Sequence, residues 1–280
     1  MKNPPFFVWA IALLEEIEQS SEKKAWCQSY SVYSSNPGQE TLRRELHSFM
    51  DRAYEEGLII ANYGEVIQRW GLEEQHVAAA DAKWLAAQPY ICVLASIAWH
   101  FRRDHFSEGS LISDSIASGT LLRLFRRLRL LCPTVAPATT LENLYCCECG
   151  NIPETPGVYW VLAPEGLPIH FAMRTYNPSA SLYSAEVLVK KYGDCTDKET
   201  LYIGKADGRR GLHQRLKQYM NYGWKNATNH KGGRAIWQID GAGLLLLAYE
   251  ECEDAREREN QLLAAYKKKN DTYPLANWRG

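Results

Sequence analysis

What this 280-residue chain lacks already narrows its function. Its formal net charge is -1, which removes any general attraction to nucleic acid or to an anionic surface, so any such attraction has to be local. It has no long apolar run. The stretch Phe6 to Leu14 is too short to cross a bilayer and leads straight into Glu15 and Glu16, with no small-residue cleavage site after it. That stretch reads as a first buried helix, and no membrane is expected as a partner. Internal repeats and low-complexity tracts are missing too. The eight cysteines (Cys27, Cys92, Cys132, Cys146, Cys147, Cys149, Cys195 and Cys252) are scattered, and without an export signal they are expected to stay reduced in a cytoplasmic protein. Cys146 and Cys149 make one CxxC pair. A zinc site would need two further ligands, and only Cys132 is near in sequence, so unligated thiols in an interdomain segment are the expectation.

The composition, 46% hydrophobic and 23% charged, is that of a soluble globular chain long enough for two domains. Residues 1–131 read as a helical domain, 132–151 as a linker rich in proline and small residues, and 152–280 as an α+β domain with a small sheet. In the first region Ser34-Ser35-Asn36-Pro37-Gly38 marks a loop, and Ile91 to His105 is a buried helix. After a break at Ser118-Gly119, a further helix puts Leu121, Leu122, Leu124, Phe125 and Leu128 inside and Arg123, Arg126, Arg127 and Arg129 outside. Those arginines read equally as phosphate contacts or as a solvated face. His100, Asp104 and His105 share one helical turn, where capping or core packing is the expected use and metal ligation the alternative.

Beyond the linker the period changes. Val158 to Leu162 and Leu201 to Ile203 read as strands, as does Leu244 to Tyr249; Ser184 to Lys191, Leu212 to Met220 and Asp254 to Lys269 read as helices. The last of these is expected to close on a left-handed cap at Asn270. Between Leu201 and Trp237 stand eight basic residues (Lys205, Arg209, Arg210, Arg215, Lys217, Lys225, Lys231, Arg234) against one acid, Asp207. With Tyr219, Tyr222, Trp224 and Trp237 interleaved, this segment has the charge and aromatics that a phosphate backbone needs.

Two charges also stand where a plain core would carry leucines. Glu259 lies on the apolar stripe of Ala255, Leu262, Leu263 and Tyr266, and Arg215 lies among Leu212, Leu216 and Tyr219. An inward carboxylate is costly unless a charge or a metal meets it. A mutual Arg215 to Glu259 salt bridge would serve, as would a site.

Gly157-Val158-Tyr159, Tyr202-Ile203-Gly204-Lys205-Ala206, Arg215 to Tyr219, Glu259 with Leu262-Leu263, and Pro274-Leu275-Ala276-Asn277 resemble, in order, the motifs of the GIY-YIG nuclease superfamily. The segment from Tyr202 to Tyr219 is most similar to the nuclease module of the bacterial excision-repair incision subunit. The resemblance covers residues 152–280. It implies a three-stranded antiparallel sheet flanked by helices and hydrolysis of a DNA phosphodiester with one divalent cation, Mg²⁺ or Mn²⁺, whose sole protein ligand would be Glu259. Tyr202 would take the proton of the attacking water, helped by the positive charge of Lys205 and Arg215. Arg215 would stabilise the transition state, Tyr159 would position the water or the phosphate, and Tyr219 and Asn277 would complete the hydrogen-bonding shell. Arg209, Arg210, Lys217, His230, Lys231 and Arg234 would contact DNA.

This chain departs from the family in two ways. Its first triplet is Gly-Val-Tyr, and the two tyrosines are about forty residues apart because of an insertion at 164–200, whose Arg174, Lys190 and Lys191 read as further DNA contacts. A free-standing nuclease of this kind is expected in prokaryotic restriction or anti-phage defence. A repair incision nuclease is the alternative within the class. A nucleic-acid or partner-binding protein with an inactive or subunit-dependent nuclease fold is the alternative outside it. The helical region is expected to recruit a partner or a second copy.

Overall fold

The computed structural model describes residues 6–19, 40–55, 57–104, 110–131, 139–173, 175, 177–225 and 233–278. The Ser34 to Gly38 loop, Cys27, His105, residues 132–138, Arg174, His230 and Lys231 lie outside them. The chain divides into two compact units, Met1–Cys132 and Pro133–Gly280.

Among its described residues the regular elements of the first unit are all helices: α1 (Phe6–Gln19), α2 (Glu40–Glu55), α3 (Tyr63–Arg69), α4 (Glu74–Ala79), α5 (Ala82–Ala86), α6 (Tyr90–Asp104), α7 (Ser110–Ala117) and α8 (Thr120–Leu131). Helix α6 is the centre. Every residue from Ile91 to Phe101 is buried, as expected of a helix apolar on all sides. Phe49 of α2 bridges Phe101 of α6 and Phe125 of α8, with ring centroids 5.7 Å and 5.8 Å away. The break before α8 falls at Gly119, whose φ of 70° is a conformation glycine adopts without strain. All five inward residues expected on α8 are buried.

The second unit is α+β, with a four-stranded antiparallel sheet in the order β1-β4-β2-β3. It consists of β1 (Thr139–Thr140), α9 (Leu141–Cys146), β2 (Gly157–Leu162), α10 (Ala185–Asp194), β3 (Thr200–Ala206), α11 (Gly211–Trp224), α12 (Arg234–Trp237), a single 3₁₀ turn (Ala242–Leu244), β4 (Leu246–Glu251) and α13 (Ala255–Asn270). The expected count of three strands is therefore one short, and the linker expected over 132–151 is too long. Thr139 and Thr140 pair with Leu247 and Leu246, and α9 follows with its first turn capped by the Thr140 hydroxyl. The left-handed residue closing α13 is Asp271, one position beyond the expected Asn270.

Tyr159 stands opposite Gly204, and Val161 opposite Tyr202. The strands are thus direct neighbours despite the insertion between them, and the alternation of a strand puts Tyr159 and Tyr202 on one face. On the other, Ile203 packs with Leu263 and Tyr266 of α13, flanked by Trp160, Leu262 and Tyr273. The insertion is tied down at several points. Ala172 N–H donates to the Gln238 carbonyl (2.6 Å), Asp240 N–H to the His170 carbonyl (2.8 Å), and the buried Gln238 amide brackets Tyr183 through its N–H (2.8 Å) and its carbonyl (2.9 Å).

Candidate active site

Helix α11 lays Leu212, Leu216 and Tyr219 into the unit's core, and the Tyr219 ring meets both tyrosines of the sheet. Tyr159 lies 5.8 Å from Tyr202 and 6.1 Å from Tyr219, both edge-on, while Tyr202 and Tyr219 are parallel at 6.3 Å. Tyr159 and Tyr219 are fully buried and Tyr202 is 7% exposed. Gly204 makes this cluster possible. A Cβ there would stand 2.6 Å from Tyr159 Cζ and 2.7 Å from its hydroxyl, so the glycine is the floor on which the Tyr159 ring rests.

Arg215 projects from the same helix, half-buried, and Glu259 comes from α13, also half-buried. They do not form the ion pair that would have explained them both. Among the described residues the Glu259 carboxylate makes no hydrogen bond or ion pair. Burial raises its pKa; Lys205, Arg215 and Arg256 pull it down and Asp207 pushes it up. Tyr202 is raised chiefly by burial, with Arg215 opposing and Glu259 adding to the rise. Tyr202, Arg215 and Glu259 therefore share one electrostatic neighbourhood although they come from β3, α11 and α13. Beside them opens a pocket of about 280 Å³ lined by Lys205, Asp207, Gly208, Gln214, Arg215 and Gln218, among others. Asp207, Gln214 and Gln218 had no signal in the sequence beyond their distance from the motif residues.

Several expected roles change. Tyr159 cannot touch a water or phosphate, since it is fully buried and its hydroxyl makes no hydrogen bond of normal geometry. It supports Tyr202 and lies within reach of Arg215. Positive charge was expected to lower the pKa of Tyr202; among the protein's own groups burial outweighs Arg215, and the pKa rises. Asn277, expected in a hydrogen-bonding shell, has its amide committed to the main chain. Its side chain accepts from Ile203 N–H (3.0 Å) and donates to Ile203 C=O (2.8 Å), clamping β3.

The basic patch is thinner in space than in sequence. Arg210 pairs with Glu154, Lys217 with Glu148 at 3.1 Å and Lys205 with Asp207 at 3.0 Å. Two of these three acids arrive from the segment before β2. Arg234 lies beside the Tyr222 hydroxyl, and Arg209 is exposed. On the insertion, Lys190 pairs with Asp194 at 2.8 Å, and Lys191 turns onto the C-terminal segment rather than outward.

The other candidates resolve as structure. Arg123 donates to the Ala79, Ala80 and Ser118 carbonyls, Arg127 to those of Ala86 and Gln88, and Arg126 pairs with Glu15 at 2.6 Å. Two of the four arginines thus cap the C-terminal ends of α4 and α5, an arrangement that helix dipoles favour. His100 is held by Val77 C=O (3.2 Å) and Ser115 Oγ (2.8 Å), and Asp104 accepts from Ile112 N–H (2.8 Å). Both are core groups. Among the described residues no group of three or more His, Cys, Asp or Glu is placed to hold a metal. Burial pushes the Cys149 thiol up to about 12.

Residues 10–134 match a family of unknown function, DUF6508. The match spans the helical unit and leaves the sheet unit, with the tyrosines, outside it. No curated protein and no solved structure matches the chain.

Proposed function

We propose that the sheet unit is a metal-dependent DNA endonuclease of the GIY-YIG type. The observation that carries this reading is the shared electrostatic neighbourhood of Tyr202, Arg215 and Glu259, with Arg215 lining the adjoining pocket and no ion pair joining it to Glu259. A half-buried carboxylate without hydrogen bonds, alone among acids except for Asp207, fits a cation that takes most of its ligands from water and phosphate oxygens. Glu259 would hold Mg²⁺ or Mn²⁺, and the cation would supply the positive charge that lowers the pKa of the nearby hydroxyl and of water.

The chain's own groups do the rest. Arg215 donates to a non-bridging oxygen of the scissile phosphate and stabilises the charge that builds there. The Tyr202 side chain, packed against the rings of Tyr159 and Tyr219, would act as the phenolate: its own proton leaves to solvent, and its oxygen then takes the proton of the attacking water as the bond from phosphorus to the leaving oxygen breaks. Lys205, bridged to Asp207, sets the local potential, and the exposed Arg209 meets the backbone of the duplex. Restriction or anti-phage defence is the role that suits a free-standing nuclease, with repair incision as the alternative.

Glu259→Ala and Arg215→Ala should each lower magnesium-dependent nicking of supercoiled plasmid by about 10² to 10³, with the thermal midpoint retained and EDTA abolishing the wild-type activity. Full nicking by either variant would sink the assignment. A second reading follows from the raised Tyr202 pKa and the paired basic residues: a nucleic-acid or partner-binding protein whose nuclease fold acts only with another subunit. Magnesium-independent DNA binding by a wild-type chain that never nicks would select it.

A further inference from the structure

The insertion carries its own device. Lys191, on α10, donates a 2.8 Å hydrogen bond from its ammonium to the main-chain oxygen of Asn277, and the same ammonium sits 4.0 Å from the centroid of the Trp278 ring. Burial lowers its pKa to about 8, the mark of a cation drawn out of water. The stretch it grips is the one that closes β3. Ala276 N–H donates to Leu201 C=O (2.9 Å) and the Asn277 amide brackets Ile203, so the residues on both sides of Tyr202 are fixed on the edge that β2 does not cover. The insertion grips this segment again through Thr196 Oγ1 to Asn270 C=O (3.2 Å), Cys195 Sγ to Tyr273 C=O (3.6 Å) and the stack of Tyr183 on Trp278 (4.6 Å).

We propose that Lys191 is a positioning residue for Tyr202, acting through Asn277: the insertion braces the strand that carries the reacting hydroxyl. This rests on reading Tyr202 as that hydroxyl. An edge strand is held by ladder hydrogen bonds on one side only, so its outer side drifts unless something pairs with it. Here the C-terminal segment pairs with it, and the charge-assisted bond from Lys191 fixes that segment in turn. The position of the Tyr202 ring against Arg215 then depends on a side chain of α10, outside the pocket.

Two arms test it, using the full chain with Lys191→Met and Lys191→Arg. Amide hydrogen exchange at Ile203 should quicken about tenfold or more in Lys191→Met, the fold-change expected for losing one hydrogen bond to a charged group, while the Ala248 amide of β4 is unchanged. Lys191→Arg, which keeps a cationic donor, should restore most of the protection. Unchanged exchange at Ile203 in Lys191→Met overturns the proposal. In plasmid nicking, Lys191→Met should lower kcat about tenfold with KM and its salt dependence unchanged. A raised KM with a flatter salt slope and full kcat would instead make Lys191 a DNA contact, and the positioning role would fall. If the wild-type chain never nicks, the nuclease reading fails while the exchange arm still decides whether Lys191 braces β3.

Discussion

His100 and Asp104 of the helical unit and Tyr159 and Glu259 of the sheet unit are treated in opposite ways. In the helical unit His100 and Asp104 are enclosed and fully answered: the imidazole by Val77 and Ser115, the carboxylate by Ile112 N–H. In the sheet unit the Tyr159 hydroxyl and the Glu259 carboxylate are enclosed or half-enclosed and make no hydrogen bond of normal geometry. A polar group withdrawn from water without a partner costs stability. A fold that keeps two such groups beside Arg215 holds a place where a ligand could recover that cost, whereas the His100 turn offers a ligand nothing. The same contrast separates the cations, since Arg123 and Arg127 are spent on main-chain carbonyls and Arg215 is not spent on Glu259.

The contrast can be broken most forcefully at His100. Its folded pKa is lowered by burial to about 4 from 6.5, so the native state disfavours the proton that the unfolded chain accepts. Stability is therefore untouched above pH 6.5 and falls as the pH drops from 6.5 towards 4, by a total on the order of 3 kcal/mol. Denaturant titrations of wild type and His100→Gln between pH 7 and 4 should diverge by that amount, while nicking at neutral pH is unaffected. Parallel curves would mean that the imidazole is not enclosed as described. A smaller loss is expected from Gly204→Ala. The added methyl meets the Tyr159 ring, and overpacking should cost about 1 to 3 kcal/mol together with most of the nicking activity, measured by thermal melting and plasmid assay on one preparation. Smallest of all should be Arg210→Ala. Its pairing with Glu154 is exposed and screened by solvent, so a stability change near zero with a slightly flatter salt slope for DNA binding is expected, and a large destabilisation would show a buried role.

Much of this was legible in sequence where period and burial agree. The inward and outward faces of α8, the tyrosine strands, and the stripes that place Arg215 and Glu259 are all local patterns, and a local pattern survives folding. Three things were not legible because they depend on partners distant in sequence. Thr139-Thr140 is too short to show alternation, and only its pairing with β4 makes it a strand. Glu148 and Glu154 precede β2 yet neutralise cations on and beside α11, so counting charge within one segment overstated the patch. Asn277 reads as a site residue by its place in a motif, and only the geometry shows both ends of its amide committed to Ile203.

The two-residue strand β1 bears on more than the position of the linker. It covers the outer side of β4 at Leu246 and Leu247, while Ala276 and Asn277 cover the outer side of β3. A small open sheet thus has a short guard on each rim, drawn from near the two ends of its own unit. Exposed rims of main-chain donors and acceptors recruit strands from other molecules. A shortened form begun at residue 152, where the motifs begin, would lose one guard and bare the β4 rim. One begun at 133 would keep both, so the boundary chosen bears on whether the sheet unit stays in solution.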